Sequence, residues 1–190
     1  MLRVTKMNIK IKNRDILLSH GDIKSKSIVL DIAEKTLQRL DAYERIKSIA
    51  YVKDDILHIG TKSWDLSRKK NVYLIGAGKA CNAMAMAVEE ILGDHLTKGI
   101  AIIKVAEESD IFQKTEIFVG GHPLPNQNGL FACKKIIDLV DNAGADDLFI
   151  VVISGGSSAL MSCPIDGISL QDEIDTTDIM LKSGADIYEI

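Results

Sequence analysis

The stretch VYLIGAGKACNAMAMAVEEIL at residues 72–92 decides the fold of this 190-residue chain. It begins with the apolar run VYLI, which is typical of a parallel strand buried on both faces. The glycine turn GAG follows at 76–78, and the apolar residues after it recur at the three- and four-residue spacing of an amphipathic helix. The stretch therefore predicts a strand, a tight turn and a helix, the repeating unit of an α/β protein.

The same alternation continues on both sides of this unit. Further strands are expected at 54–60, 99–104, 115–121 and 147–154, the last one fully buried, and further helices at 22–40, 128–143 and 170–183. The helix after the glycine turn should bury a stripe formed by Ala80, Ala83, Met84, Ala87, Val88, Ile91 and Leu92. This pattern predicts a doubly wound, mostly parallel sheet with helices on both faces, in which 72–75 and 148–153 are parallel neighbours or near-neighbours.

Composition excludes several classes of protein. Hydrophobic residues make up 46% of the chain and the formal net charge is −4, which disfavours a nucleic-acid binder. No run approaches the roughly 20 apolar residues of a membrane span, and no secretion signal is evident. The three cysteines are widely spaced without a CxxC motif, which indicates packing in a reducing, cytoplasmic setting. The histidines lack metal-ligand spacing, so no metal site is predicted.

Three polar or glycine-rich loops follow predicted strands, at 76–80, 120–126 and 154–158. In open parallel sheets, ligands bind at the carboxyl ends of the strands. The sequence therefore predicts that these three loops open onto one cleft.

Lys79 is the most informative residue of the first loop. Gly76 and Gly78 allow a sharp turn, and backbone N–H groups at a helix start attract anions. A lysine in the first helical turn opposes the helix dipole, so helix stability does not explain it, whereas an anionic ligand would. The plain alternative is a solvent-facing lysine in a turn between a strand and a helix.

The segment VVISGGSSAL at 151–160 is the second candidate. Its small residues permit close approach of a ligand, and its serine hydroxyls add hydrogen-bond donors. A nucleophile elbow is excluded because Val152 stands where the motif needs glycine. The alternative is a helix cap with tight packing. In the third loop, His122 either binds a ligand or is a hydrogen-bonded turn residue.

Four segments together resemble the MOFRL-type glycerate 2-kinases. They are GAGKA…MA at 76–85, GGHPLPN at 120–126, DDLFIVVISGGSSAL at 146–160 and DGISLQDEIDTTDIMLKSGADIYEI at 166–190, in family order. The chain departs from the family at Ser157, where a third glycine is usual, and at Asn126, where aspartate is frequent.

The resemblance implies a Rossmann-like, three-layer αβα N-terminal domain over residues 22–190, preceded by an N-terminal extension or first-strand region at 1–21. Family members are longer than this chain, so the domain is expected to be truncated at its C-terminal end, with the family's second domain missing. Surface left exposed in this way would also allow the chain to form a homo-oligomer.

The resemblance also implies ATP-dependent phosphorylation of D-glycerate to 2-phosphoglycerate, with Mg²⁺ on the ATP phosphates. By the family pattern Lys79 is catalytic. The residues expected to bind substrate or phosphate are Gly76, Gly78, His122, Ser154, Gly155, Gly156, Ser157 and Ser158. The isolated chain is expected to fold at least partly, but not to turn over glycerate at a useful rate.

Two other functions remain open at this stage. One is a non-catalytic anion- or phosphosugar-binding module that needs a partner chain. The other is a nicotinamide-dependent oxidoreductase, which predicts an acidic residue where the second strand of the unit ends. Lys104 stands there, so the sequence disfavours this second alternative.

Overall fold

The computed structural model describes residues 9–107, 110–186 and 188–189, so residues 1–8 of the expected extension and parts of the segment 166–190 lie outside it. The helices are α1 (Arg14–Leu17), α2 (Ile23–Arg39), α3 (Ala42–Ile49), α4 (Cys81–Leu92), α5 (Gln127–Asp141), α6 (Ser157–Leu160) and α7 (Leu170–Ser183). The strands are β1 (Ala50–Lys53), β2 (Ile56–Ile59), β3 (Lys62–Asp65), β4 (Val72–Ala77), β5 (Lys98–Ile103), β6 (Thr115–Val119) and β7 (Leu148–Ile153).

The main sheet has four parallel strands in the order β6-β5-β4-β7. Ile75 of β4 lies opposite Ile100 of β5 on one side and Val151 of β7 on the other. The chain runs outward from β4 through β5 to β6 and then returns to the other side of β4. The sheet is therefore doubly wound, and the predicted parallel pairing of 72–75 with 148–153 is confirmed.

Two hydrophobic clusters cover the two faces of this sheet. On one face, α4 packs through Cys81, Ala85 and Val88 against Leu74, Ala101, Ile103 and Val152. On the other face, α5 and α6 pack through Ala132, Ile136 and Leu160 against Ile75, Ile100, Ile102 and Phe118. Burial of apolar side chains on both faces stabilises the three layers. The predicted three-layer α/β architecture is confirmed.

The second sheet is small and antiparallel, with the order β1-β2-β3. The strand expected at 54–60 is its central member, β2. Leu57 of β2 is buried and joins the same cluster as Leu92 of α4, with Ile150 of β7 packed against it. This sheet extends the layer that contains α4.

β7 differs from the expectation of a fully buried strand. Val152 is only 4% exposed, but Val151 is 55% and Ile153 47% exposed. The physical reason is that α5 packs mainly on β5 and β6, so the same face of the edge strand β7 is covered at Phe149 but not at Val151 and Ile153. The prediction that Val151 is buried is therefore wrong, and the prediction for Val152 is confirmed.

The buried stripe of α4 also differs in part. Ala87, Val88 and Leu92 are buried as expected, but Cys81 and Ala85 are fully buried in place of Ala83 and Met84, which are half-buried. Cys81 and Ala85 lie one helical turn apart and face the sheet. The buried face of α4 is therefore rotated about the helix axis relative to the predicted stripe.

The helix α2 begins where its sequence predicts, with the Asp22 side chain accepting a hydrogen bond from the Ser25 amide. It contains no buried residue, and Ile28 and Ile32 are 54% and 62% exposed. Among the residues that the structure describes, no helix combines the length and the apolar character that a membrane crossing requires.

Candidate active site at the switch point of the sheet

The candidate site lies at the carboxyl ends of β4 and β7, where the winding of the sheet reverses. These strands are direct neighbours, but the chain leaves β4 toward α4 on one face and leaves β7 toward α6 on the other. The two following helices therefore lie on opposite faces of the sheet. Such a switch point is the usual binding position in a doubly wound sheet.

Backbone hydrogen bonds join the two loops. The Ser154 amide donates to the Ala77 carbonyl at 3.0 Å, and the Lys79 amide donates to the Gly155 carbonyl at 3.0 Å. The Ala80 amide donates to Ser154 Oγ, also at 3.0 Å. The loop that carries Lys79 and the glycine-serine loop are therefore one connected unit.

Gly156 shows that the third loop reaches the same place. Its φ is +89°, and a Cβ added there would lie 2.7 Å from Cδ2 of His122 and 3.2 Å from Cε of Lys79. The side chains of Lys79 and His122 thus converge on one glycine of the glycine-serine loop at 154–158. The three loops therefore meet at one place, as predicted, whereas the cleft itself stays a prediction.

Among the residues that the structure describes, the side chains of Lys79 and His122 have no polar partner of their own. Lys79 is exposed and His122 is half-buried. Within the described part of the chain, neither the Lys79 amine nor the His122 ring makes a hydrogen bond or an ion pair. A cation held next to an imidazole with free hydrogen-bonding capacity is suited to an anionic ligand that also carries hydroxyl groups.

The remaining predicted residues divide into two groups. Gly155 and Ser158 are exposed and Ser157 is half-buried where the loops meet, whereas Gly78 and Ser154 are occupied in joining the loops. Gly76 is not brought to the site. It is buried within β4, and a Cβ there would lie 2.3 Å from Cys81 Sγ, so its hydrogen leaves room for the α4 helix. The interpretation of Gly76 as a ligand contact is replaced by a packing role.

The cysteines near the site are packing residues, as expected. Burial raises the pKa of the Cys81 thiol to about 12. Burial, together with the neighbouring Cys163, raises the pKa of Cys133 to about 11. Since a thiolate is the reactive form, neither buried cysteine is a nucleophile near neutral pH.

A fourth loop at the same edge was not among the loops predicted to form the site. It follows β5 and includes Lys104 and Asp110, and Asp110 accepts hydrogen bonds from the Glu107 amide at 2.8 Å and from Asn82 Nδ2 at 3.2 Å. The contact with Asn82 ties this loop to the first turn of α4. The loop is not glycine-rich, and the only signal for it is that it follows a predicted parallel strand.

The ligands of a metal ion are not evident. Among the described residues, no group of three or more His, Cys, Asp or Glu side chains is placed to hold one. No ligand of the magnesium ion implied by the resemblance is therefore assigned among these residues.

Comparison with known proteins assigns the family. A family model described as a domain of unknown function (DUF4147) matches residues 28–190. The chain belongs to this family. The DUF4147 domain here is also similar to curated glycerate kinases, which confirms the resemblance to the N-terminal part of the MOFRL-type glycerate 2-kinases.

The curated relatives include archaeal and bacterial enzymes. The chain is 33% identical over 165 residues to a glycerate 2-kinase of Pyrococcus horikoshii, which covers 87% of this chain and 36% of that protein. It is 36% identical over 119 residues to a D-glycerate 2-kinase of Thermotoga maritima, covering 63% of this chain and 28% of that protein. The DUF4147 chain thus spans about a third of the length of these relatives.

Solved structures support the fold of the DUF4147 domain. A crystal structure of a Pyrococcus horikoshii protein matches with a TM-score of 0.73 at 33% identity, over 89% of this chain and 37% of that chain. The crystal structure of a glycerate kinase from Thermotoga maritima matches with a TM-score of 0.68 at 27% identity, over 87% and 36% of the two chains.

Proposed function

We propose that this chain supplies the Lys79-bearing part of an ATP-dependent kinase that converts D-glycerate to 2-phosphoglycerate. The observation that carries the proposal is the convergence of Lys79 and His122 on Gly156 at the switch point of the sheet. The names of the relatives, glycerate 2-kinase and D-glycerate 2-kinase, support the same substrate and the same reacting hydroxyl.

The chemistry suits the residues present. Phosphoryl transfer needs in-line positioning and neutralisation of charge that spreads over the phosphoryl oxygens, with little covalent chemistry from the protein. The Lys79 ammonium supplies a compact positive charge on a flexible stem. His122 and the hydroxyls of Ser157 and Ser158 supply hydrogen bonds for the carboxylate and hydroxyl groups of glycerate.

Magnesium enters the proposal only through ATP. Bound Mg²⁺ neutralises phosphate charge in kinases generally. Because the described residues offer no ligand set for the ion, no residue of this chain is assigned to it.

A chimera tests the proposal. In it, this chain replaces the matched region of the Pyrococcus horikoshii glycerate 2-kinase, and the match covers 87% of this chain and 36% of that protein. We expect D-glycerate-dependent release of ADP in a coupled assay with ATP and Mg²⁺. The relative without its matched region, expressed alone, is the negative control.

The alternative function predicts a different result in the same assay. If the chain is a non-catalytic anion-binding module, the chimera binds D-glycerate in a calorimetric titration but releases no ADP at saturating ATP. The Lys79 amine, which has no partner among the described residues, is the feature that this alternative shares with the kinase proposal. Binding without turnover would therefore replace the proposed function by that of a binding module.

A further inference from the structure

The Ser154 side chain is already engaged within the protein. Its Oγ accepts the Ala80 amide at 3.0 Å, across 74 residues of sequence. Its own amide donates to the Ala77 carbonyl at 3.0 Å. Ser154 is thus held at its backbone and at its side chain by the segment that carries Lys79.

The amide that Ser154 accepts belongs to a helix start without a cap of its own. Ala80 occupies the N-cap position of α4, where no side chain makes a capping hydrogen bond. The N–H groups at a helix start lack partners in the helix, and capping side chains usually satisfy some of them. Ser154 directly follows the neighbouring strand β7, and its hydroxyl provides the acceptor for the Ala80 amide.

Gly78 makes this contact possible. Its φ is +136°, and a Cβ added there would lie 2.1 Å from Ser154 Oγ and 2.7 Å from the Ser154 carbonyl oxygen. Any side chain at position 78 would push Ser154 away from Ala80. The glycine and the serine therefore act together as one junction between β4 and β7.

We propose that Ser154 is a positioning residue that fixes the Lys79 turn against the glycine-serine loop, and that it does not bind substrate. The Lys79 amide adds a second link to this junction through the Gly155 carbonyl. Together the two links hold the backbone at 79 and 80 so that the Lys79 side chain extends toward Gly156 and His122. The effect on catalysis rests on the proposed function, whereas the effect on the turn does not.

Amide hydrogen exchange on the 190-residue chain tests the effect on the turn. Ser154→Ala should speed exchange of the Ala80 amide at least about tenfold, the equivalent of one lost hydrogen bond. The Leu74 amide in β4 should keep its exchange rate, which shows that the fold is intact. Ser158→Ala, in the same loop, should leave Ala80 exchange unchanged. An unchanged Ala80 rate in Ser154→Ala would overturn the proposal.

Kinetics of the chimera test the effect on catalysis. Ser154→Ala should lower kcat about tenfold and leave KM for D-glycerate within about twofold, because a displaced Lys79 weakens the transition state more than the ground state. Ser154→Thr, which keeps the hydroxyl, should restore kcat. A raised KM with unchanged kcat would instead identify Ser154 as a substrate contact and overturn the proposal. If the unmodified chimera is inactive, the proposed function fails while the exchange result still decides the role of Ser154 in the turn.

Discussion

Gly156 is the residue at which the side chains of Lys79 and His122 meet. Its hydrogen faces the His122 ring and the Lys79 stem, at positions where a methyl group would lie 2.7 and 3.2 Å away. Nothing in the sequence joins these residues, which lie 34 and 77 positions from Gly156 along the chain. Only the parallel order of the strands brings them together.

Gly156→Ala should therefore lower the free energy of unfolding more than an alanine substitution at another glycine with positive φ. The positive φ alone costs about 1–2 kcal/mol for a residue with a Cβ, and the close contact with His122 adds about 1–3 kcal/mol of overpacking. Gly167→Ala is the matched control, because Gly167 has a φ of +90° with nothing within 4 Å of the added Cβ. Urea unfolding of both variants measures the difference, and equal losses of stability would contradict the contact.

Cys81 makes the free energy of unfolding depend on pH in the alkaline range. Burial raises its pKa from 9.0 to about 12. Above about pH 9 the unfolded chain loses this proton while the folded chain keeps it, so stability falls as pH rises. From about pH 8 to about pH 10 the wild type should lose on the order of 1 kcal/mol more than Cys81→Ala. Parallel pH dependences of the two proteins in urea unfolding would contradict the burial of this thiol.

At the scale of elements, long regular segments were predictable from sequence. The helix expected at 170–183 is α7, Leu170–Ser183, and its start carries a capping box between Ser169 and Asp172. The three apolar runs that became β4, β5 and β7 were placed correctly as well. These signals are local, since periodicity and capping act within one or two turns of chain.

The features that the sequence did not predict mostly depend on contacts between distant segments. The strands β1 and β3 have four residues each and carry charged or polar side chains, so their pattern did not stand out. The apolar run of β7 could not reveal that α5 covers β5 and β6 but leaves Val151 exposed. The role of Gly76 depends on Cys81, and that of Ser154 on Ala80, and both contacts follow from tertiary packing alone.

The two faces of β7 should respond differently to mutation. Val152 is 4% exposed in the cluster with α4, so Val152→Ala should cost about 2 kcal/mol. Its neighbour Val151 is 55% exposed, so Val151→Ala should change stability by no more than about 0.5 kcal/mol. Urea denaturation of the pair measures both effects. A loss from Val151→Ala as large as that from Val152→Ala would show that its face of β7 is covered.

At the scale of the whole molecule, the described helices differ in the interactions that stabilise them. The main sheet and α4 and α5 share buried apolar clusters, whereas α2 buries no residue. Polar contacts join α2 to the preceding segment. Arg14 pairs with Asp31 at 2.6 Å, and the amides of Lys10 and Ile11 donate to Glu34 at 2.8 Å. Exposed ion pairs of this kind stabilise by less than about 1 kcal/mol each.

Hydrogen exchange should reveal this difference directly. Amides of α2 should exchange at least about tenfold faster than those of α4, because few buried contacts oppose local opening of α2. Mass spectrometry of peptides from Ile23–Arg39 and Cys81–Leu92 makes the comparison within one sample. Equal protection of the two helices would contradict the view that α2 is held mainly by its polar contacts.

The most direct test of the central claim is the rate of D-glycerate-dependent ADP release by the chimera and its Lys79→Ala variant. Loss of one transition-state charge contact should lower kcat by about 100-fold or more. Lys134→Ala, which removes an exposed lysine of α5 outside the three loops, should leave the rate unchanged. Because Lys79 lies outside both hydrophobic clusters, its removal should leave the unfolding midpoint nearly unchanged. Equal rates for the chimera and its Lys79→Ala variant would contradict the assignment of Lys79 to the active site.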